Sequence, residues 1–296
     1  MFEKGDSMEI KHVMVVGFGT MGHGISQVSV QSGYTVIGMD IDEKAIERGL
    51  KSIDRSVSKA IEKGVLKEKK EEILGRLKTT KDLSLAKDAD LVIEAVFENI
   101  HLKKEVFKEL DRLCPPHTIL TSNTSAIPIS EIASVTKRQD RVVGTHFFFP
   151  VPVMRLVEVI RGVSTSNETM EKTRKFAASI GKVPVTVNID LAGFLANRMW
   201  LIMALEAIRL YELGAGTAED IDQCLKLGYN HPMGPLEIAD MSGTDVLCGA
   251  VTAIYNDTGR AEYAPPMILR RMVAAGLHGR KTGKGFYEYT EDGKKK

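Results

Sequence analysis

The stretch HVMVVGFGTMGHGI, residues 12–25, decides how the rest of the chain is read. The run His12–Val16 predicts a buried strand, and the pattern opening near Thr20 predicts a helix directly after it. Between them stands Gly17-Phe18-Gly19-Thr20-Met21-Gly22, a G-x-G-x-x-G in the strand-to-helix setting that gives the pattern meaning. Gly17 permits a tight turn, Gly19 lets a pyrophosphate approach the backbone, and Gly22 lets helix pack on strand. Thr20 and Met21 begin the helix, whose free N–H groups and positive dipole end favour an anion. The competing reading is a glycine-rich turn with no ligand.

Working outward, Asp40 follows a second strand, Thr35–Met39, twenty-three residues after Gly17. An acid there accepts from both hydroxyls of an adenosine ribose and repels a 2′-phosphate, so NAD is expected rather than NADP. The plainer role for Asp40 is a cap on the following helix, which Asp42 fills equally well.

Further β-branched runs at Leu91–Val96, Thr118–Thr121, Arg141–His146 and Leu156–Ile160 alternate with helical segments, the pattern of a parallel sheet covered by helices. One connection is longer than a crossover requires. From Asp42 to Gly75 the chain reads as two helices joined at Gly64, a helical insertion that returns to the sheet near Thr79. Its first helix carries Lys51, Arg55, Lys59, Lys63 and Lys67 opposite Ile53, Val57 and Ile61. That basic face is either solvated or a grip on a phosphorylated ligand. Each step of four overshoots a turn by about 40°, so only two or three of these charges can meet one ligand, and Lys59 and Lys63 are the candidates. After Val187 the alternation stops and helical patterns fill Gly193–Leu213, Ala218–Leu227 and Asp245–Tyr255. The expected organisation is therefore an α/β nucleotide-binding domain, residues 9–190, and an all-α C-terminal domain, residues 191–296.

Composition narrows the function classes. Forty basic against thirty-nine acidic residues leave a net charge of +1, so no global field draws nucleic acid or an anionic membrane, and an anionic ligand must be held locally. Cys114, Cys224 and Cys248 are an odd set without C-x-x-C spacing, which argues against a disulfide framework or a metal site and favours a reducing, cytoplasmic setting. The apolar stretch Phe194–Leu213 is interrupted by Arg198, Glu206, Arg209 and Glu212, charges a single membrane span does not tolerate. Residues 1–8 read as a loose tail, with neither the apolar core of a signal peptide nor the acid-poor composition of a transit peptide.

His146 ends a predicted strand ahead of Phe147-Phe148-Phe149-Pro150, and Glu158 lies twelve residues on in the next. Adjacent strands can bring the two together. A carboxylate on one ring nitrogen fixes the tautomer and stabilises the imidazolium formed when the other nitrogen takes a proton. The bland reading is a structural histidine.

Together these residues carry a resemblance. The chain resembles the 3-hydroxyacyl-CoA dehydrogenases from about Lys11 to Tyr289, through GFGTMGHGI (Gly17–Ile25), EAVFEN (Glu94–Asn99), SNTSAIPI (Ser122–Ile129) and HFFFPVPVMRLVEVI (His146–Ile160). It continues through GFLANR (Gly193–Arg198), EAIRLYE (Glu206–Glu212), HPMGPLEIAD (His231–Asp240) and GRKTGKGFYEY (Gly279–Tyr289). The resemblance implies a Rossmann-like NAD domain, a helical domain that mediates homodimerisation, a substrate between them, and reversible oxidation of (S)-3-hydroxyacyl-CoA to 3-oxoacyl-CoA. By position, His146 and Glu158 match the family's catalytic dyad, Ser125 its donor to the reacting oxygen, and Asn197 a polar group near the thioester. Glu98 and Lys103 match contacts on the nicotinamide side of NAD, and Ser56 and Lys63 match coenzyme A contacts. Phe149 departs from the family, which usually has asparagine there, and puts fine substrate preference in question. Short-chain substrates such as 3-hydroxybutyryl-CoA, in fatty acid or butanoate metabolism, are the expectation. The alternative is a dehydrogenase of a free hydroxy acid or sugar acid on the same fold.

Overall fold

A computed structural model describes residues 10–296, so the tail expected at residues 1–8 and the domain start at residue 9 lie outside the described residues. The chain forms two compact units that divide after Leu191.

The first unit is an eight-stranded sheet with strands β1 His12–Val16, β2 Thr35–Met39, β3 Leu77–Thr80, β4 Leu91–Glu94, β5 Ile119–Ser122, β6 Val142–Phe147, β7 Leu156–Arg161 and β8 Val183–Val187. Their order is β3-β2-β1-β4-β5-β6-β7-β8, and every pair is parallel except β6 with β7. Helices α1 Thr20–Gln31, α2 Glu43–Glu62, α3 Lys70–Gly75, α4 Ile100–Leu113, α5 Ile129–Ala133 and α6 Asn167–Ser179 connect them. The central strands β4, β5 and β6 are buried along their whole length. Only a sheet covered on both faces tolerates such runs. Val15, Ile25, Val36, Ile93, Val143 and Val159 belong to one continuous core.

The expected strands and the insertion between β2 and β3 are present, with Gly64 at φ +69° closing α2 just past its end, so Lys67, expected on this helix, lies beyond it in the link to α3. Edge strand β8 escaped the sequence reading, and edge strand β3 was expected only as a return to the sheet near Thr79. β3 is four residues, LKTT, with two polar threonines, too short for an alternation to register. β8, VPVTV, contains Pro184, which argues against a central strand but is tolerated at a sheet edge, where this strand lies.

The second unit is built from α7 Ala196–Glu212, α8 Ala218–Gly228, α9 Pro235–Ser242, α10 Thr244–Thr258 and α11 Met267–Ala274. Leu205, Ile208, Leu236, Leu247, Val251 and Leu269 are in its own core. Two buried carboxylates tie its C-terminal segment down. Asp240 accepts from the Phe286 and Tyr287 N–H groups and the Tyr289 hydroxyl, and Asp222 accepts from the Tyr287 hydroxyl at 2.7 Å. Burial pushes both carboxyls above the usual aspartate range, with these hydrogen bonds pulling back.

Candidate active site

The glycine loop leaves β1 and enters α1 with each glycine in a distinct steric position. Gly17 sits at φ +95°, and a Cβ there would lie 2.5 Å from the Ala95 carbonyl oxygen. A Cβ on Gly22 would fall 1.7 Å from the Gly17 carbonyl oxygen. Gly19, by contrast, has no atom within 4 Å of the Cβ position and caps α1 without a side-chain hydrogen bond. Gly17 and Gly22 therefore hold turn and helix together, while Gly19 faces open space beside the exposed Thr20 and half-buried Met21. Backbone donors at a helix start, with room for a bulky anion beside them, fit the diphosphate of a dinucleotide.

Asp40 closes the other side of this loop. Its Oδ2 accepts from the Phe18 N–H at 2.7 Å and its Oδ1 from the Asp42 N–H at 2.9 Å. Asp42, not Asp40, caps α2 through the Lys44 N–H. Asp40 thus spans from the glycine loop to the end of β2, the setting required for an acid that reads a ribose. These residues fit NAD, the cofactor expected from the sequence.

His146 and Glu158 are register partners in the antiparallel pair β6 and β7, so their side chains leave the same face of the sheet. His146 Nδ1 lies 2.8 Å from Glu158 Oε2, and both residues are buried. A carboxylate only accepts, so Nδ1 carries the proton and Nε2 is the basic nitrogen. The Phe148 ring packs 4.4 Å from the imidazole, centroid to centroid. Asn123, on the loop after β5, accepts the Phe147 N–H at 2.9 Å and fixes the end of β6. Lys182, itself buried, donates to the Val151 and Met154 carbonyls of the next loop. Phe149, between these anchors, is 63% exposed.

Ser125 and Glu98 meet on the loops that follow β5 and β4. Glu98 Oε1 accepts from the Thr124 hydroxyl at 2.6 Å, the Ser125 N–H at 2.9 Å and the Ser125 hydroxyl at 3.3 Å. Burial raises the Glu98 pKa, but Lys103 and these donors outweigh it and hold the carboxyl below the usual range. Lys103 is placed beneath rather than at the surface: it is 1% exposed, with Nζ 2.7 Å from Glu94 and 3.3 Å from Glu98. Its visible role is to support Glu98.

On α2, Ser56 is half-buried and accepts from the Gln27 amide at 2.9 Å, while Lys59 and Lys63 are exposed. Residues three and seven positions beyond Ser56 return to within about 60° of it around the helix, so the three share one face. Asn197 lies half-buried in the first turn of α7, in the second unit.

Sequence reasoning missed Asn123, Thr124, Lys182 and Glu94. Three of the four sit inside the quoted motifs SNTSAIPI and EAVFEN, so their signal was position within a motif; Lys182 had none.

Residues 12–190 match the family model for the 3-hydroxyacyl-CoA dehydrogenase NAD binding domain and residues 193–289 the model for its C-terminal domain. The chain is 44% identical to the 3-hydroxybutyryl-CoA dehydrogenase of Clostridioides difficile, over 94% of this chain and 99% of that one. It is 42% identical to the human mitochondrial hydroxyacyl-coenzyme A dehydrogenase, over 95% and 91%. Among solved structures, the (S)-3-hydroxybutyryl-CoA dehydrogenase of Ralstonia eutropha superposes with a TM-score of 0.91 at 40% identity, covering 95% of this chain and all of that one. With both domains matched in order and nearly the whole length aligned, the chain belongs to the NAD-dependent 3-hydroxyacyl-CoA dehydrogenase family.

Proposed function

We propose that the protein catalyses the reversible oxidation of short-chain (S)-3-hydroxyacyl-CoA, 3-hydroxybutyryl-CoA foremost, to 3-oxoacyl-CoA. The observation that carries this reading is the buried His146–Glu158 pair at 2.8 Å on the sheet that also bears the glycine loop and Asp40.

When bound, NAD supplies the hydride acceptor. The chain's own residues handle the proton. His146 Nε2 takes it from the 3-hydroxyl as the C3–H bond breaks, and Glu158 stabilises the resulting imidazolium. Ser125, held by Glu98, donates to the oxygen as its bond to carbon becomes a carbonyl; in reverse, the same donor and His146 receive and protonate a developing alkoxide. Gly17, Gly19, Thr20, Met21 and Gly22 hold the diphosphate, Asp40 the adenosine ribose, and Glu98, with Lys103 behind it, the nicotinamide side. Ser56, Lys59 and Lys63 grip coenzyme A, and Asn197 meets the thioester.

The reading includes a homodimer formed through the C-terminal unit, supported by the exposed apolar side chains Met199, Leu210 and Leu213 along and just past α7 and Leu227 and Tyr229 at the end of α8. It also includes a cytoplasmic setting in fatty acid or butanoate metabolism. Three free cysteines support that compartment, and no helix among the described residues is long and apolar enough to cross a membrane.

The test is NADH formation on a panel of short, medium and long 3-hydroxyacyl-CoA thioesters beside free hydroxy acids. Highest kcat/KM on the four-carbon thioester supports the proposal. Turnover of the free acids alone would replace it with the hydroxy-acid reading, and would make Phe149 the mark of a rebuilt pocket.

A further inference from the structure

Behind the catalytic loops lies a buried carboxylate that the mechanism above does not use. Glu94 ends β4, opposite Ser122 of β5 in register, and its side chain is 0% exposed. It nonetheless has three donors: the Lys103 ammonium at 2.7 Å and the Val96 N–H at 2.7 Å on Oε1, and the Ser122 hydroxyl at 2.6 Å on Oε2. Lys103 turns toward a second acid, Glu98, 41% exposed, whose other oxygen gathers the 124–126 turn with Ser125 in it. One cation is thus shared between two carboxylates, the deep one closer than the shallow one. A lysine on a flexible four-carbon stem does not hold a fixed point by itself; here Glu94 and the Val96 carbonyl, 3.5 Å from Nζ, fix it from below.

We propose that Glu94 is a positioning residue for the dehydrogenase reaction: it anchors Lys103, Lys103 anchors Glu98, and Glu98 sets the turn that aims Ser125. The proposal rests on the 3-hydroxyacyl-CoA reading for its kinetic arm only. Four side chains from β4, α4 and the two following loops act as one unit. Glu94 touches neither substrate nor cofactor. Burying a carboxylate costs free energy unless it is paired and hydrogen-bonded, and the pair itself supplies little stability, so the Glu94–Lys103 pair is explained by what it holds in place.

The experiment compares the full-length protein with its Glu94→Gln, Glu98→Gln and double variants, and with Ser122→Ala as a milder perturbation that keeps the ion pair; because Ser122 Oγ also accepts the Thr124 N–H at 3.3 Å, that variant is read only at the Ser125 and Ala126 amides, which Glu98 holds. The first readout is amide hydrogen exchange, which needs no substrate. Glu94→Gln speeds exchange of the 124–126 amides by about tenfold, the scale of one charge-assisted hydrogen bond, while the central amides of β4 and β5 keep their protection. Ser122→Ala moves the Ser125 and Ala126 amides in the same direction by less. The second readout is kinetic: Glu94→Gln lowers kcat by about tenfold with KM for the thioester little changed, and the double variant is no worse than Glu98→Gln, because the two act in series. Exchange rising equally throughout β4, β5 and the turn would overturn the proposal and make Glu94 a part of the core only. So would an unchanged turn, or effects that multiply in the double variant. A wild-type protein inactive on every thioester would instead refute the substrate reading, and the exchange result would still decide the role of Glu94.

Discussion

His146 and Glu158 stand directly opposite each other across the antiparallel pairing of β6 with β7, the one such strand pair in the sheet among the described residues, Nδ1 to Oε2 at 2.8 Å. In a parallel pair the bonds are slanted and the strands need a crossover between them; an antiparallel pair puts residue against residue across one short loop. Register alone therefore aligns the imidazole with the carboxylate. Glu158→Gln keeps the imidazole but removes the charge that stabilises its protonated form. We expect a fall in kcat smaller than that for loss of His146, with NAD affinity unchanged. Steady-state kinetics and an NAD titration check this, and normal turnover would return His146 to a structural role.

The three glycines of the loop separate by steric role. Gly19→Ala should leave the melting temperature near wild type, since nothing lies within 4 Å of the new Cβ, yet weaken NAD binding by filling the space for the diphosphate. Gly22→Ala places a Cβ 1.7 Å from the Gly17 carbonyl oxygen and should destabilise the first unit itself; overpacking of this kind costs about 1–3 kcal/mol or more. Thermal melts with and without NAD distinguish the two. A destabilised Gly19 variant that bound NAD normally would contradict the assignment.

Asp40→Ala should weaken NAD binding by about 1.5–3 kcal/mol, the range for hydrogen bonds to a charged group, and improve NADP relative to NAD. Because Asp40 also accepts the Phe18 N–H, part of the loss reflects a loosened loop and falls on both cofactors alike. The ratio of the two affinities, measured by paired titrations, isolates the ribose contribution. An unchanged ratio would leave Asp40 as a brace for the loop alone.

Cys114 caps the end of α4 with little exposure, and burial pushes its thiol up to about 11, with Arg138 pulling back and Asp111 adding to the rise. The folded state therefore favours the neutral thiol. Stability from this group is complete below the ordinary thiol range near 9 and is lost as pH rises through about 11. At pH 8 the thiolate, the reactive form, is scarce. Alkylation followed by mass spectrometry should label exposed Cys224 first and Cys114 last; early labelling of Cys114 would show that its burial is transient.

How much of this was legible in the sequence depended on whether a feature is local or long-range. The strand–glycine loop–helix unit announces itself, since turn, helix start and Asp40 are all set within thirty residues by backbone sterics and charge. The His146–Glu158 pair was legible because two neighbouring strands and a short loop leave little freedom. Edge strand β8 was not, because an edge tolerates Pro184, and β3, short and polar, showed only as a return to the sheet near Thr79. Nor was the chain of contacts from Glu94 to Ser125: the resemblance pointed to Lys103, Glu98 and Ser125 as site residues, but nothing marked Glu94, and only the burial of Lys103 shows that it braces Glu98 from below.

The most direct test of the central claim is the initial rate of NADH formation from (S)-3-hydroxybutyryl-CoA by the wild-type protein and by His146→Gln, at saturating NAD. We expect steady turnover by the wild type and a fall in kcat of roughly two to four orders of magnitude in the variant, the contribution of a positioned acid–base group, with NAD affinity retained. Equal rates from the two proteins, or no rate from either, would contradict it.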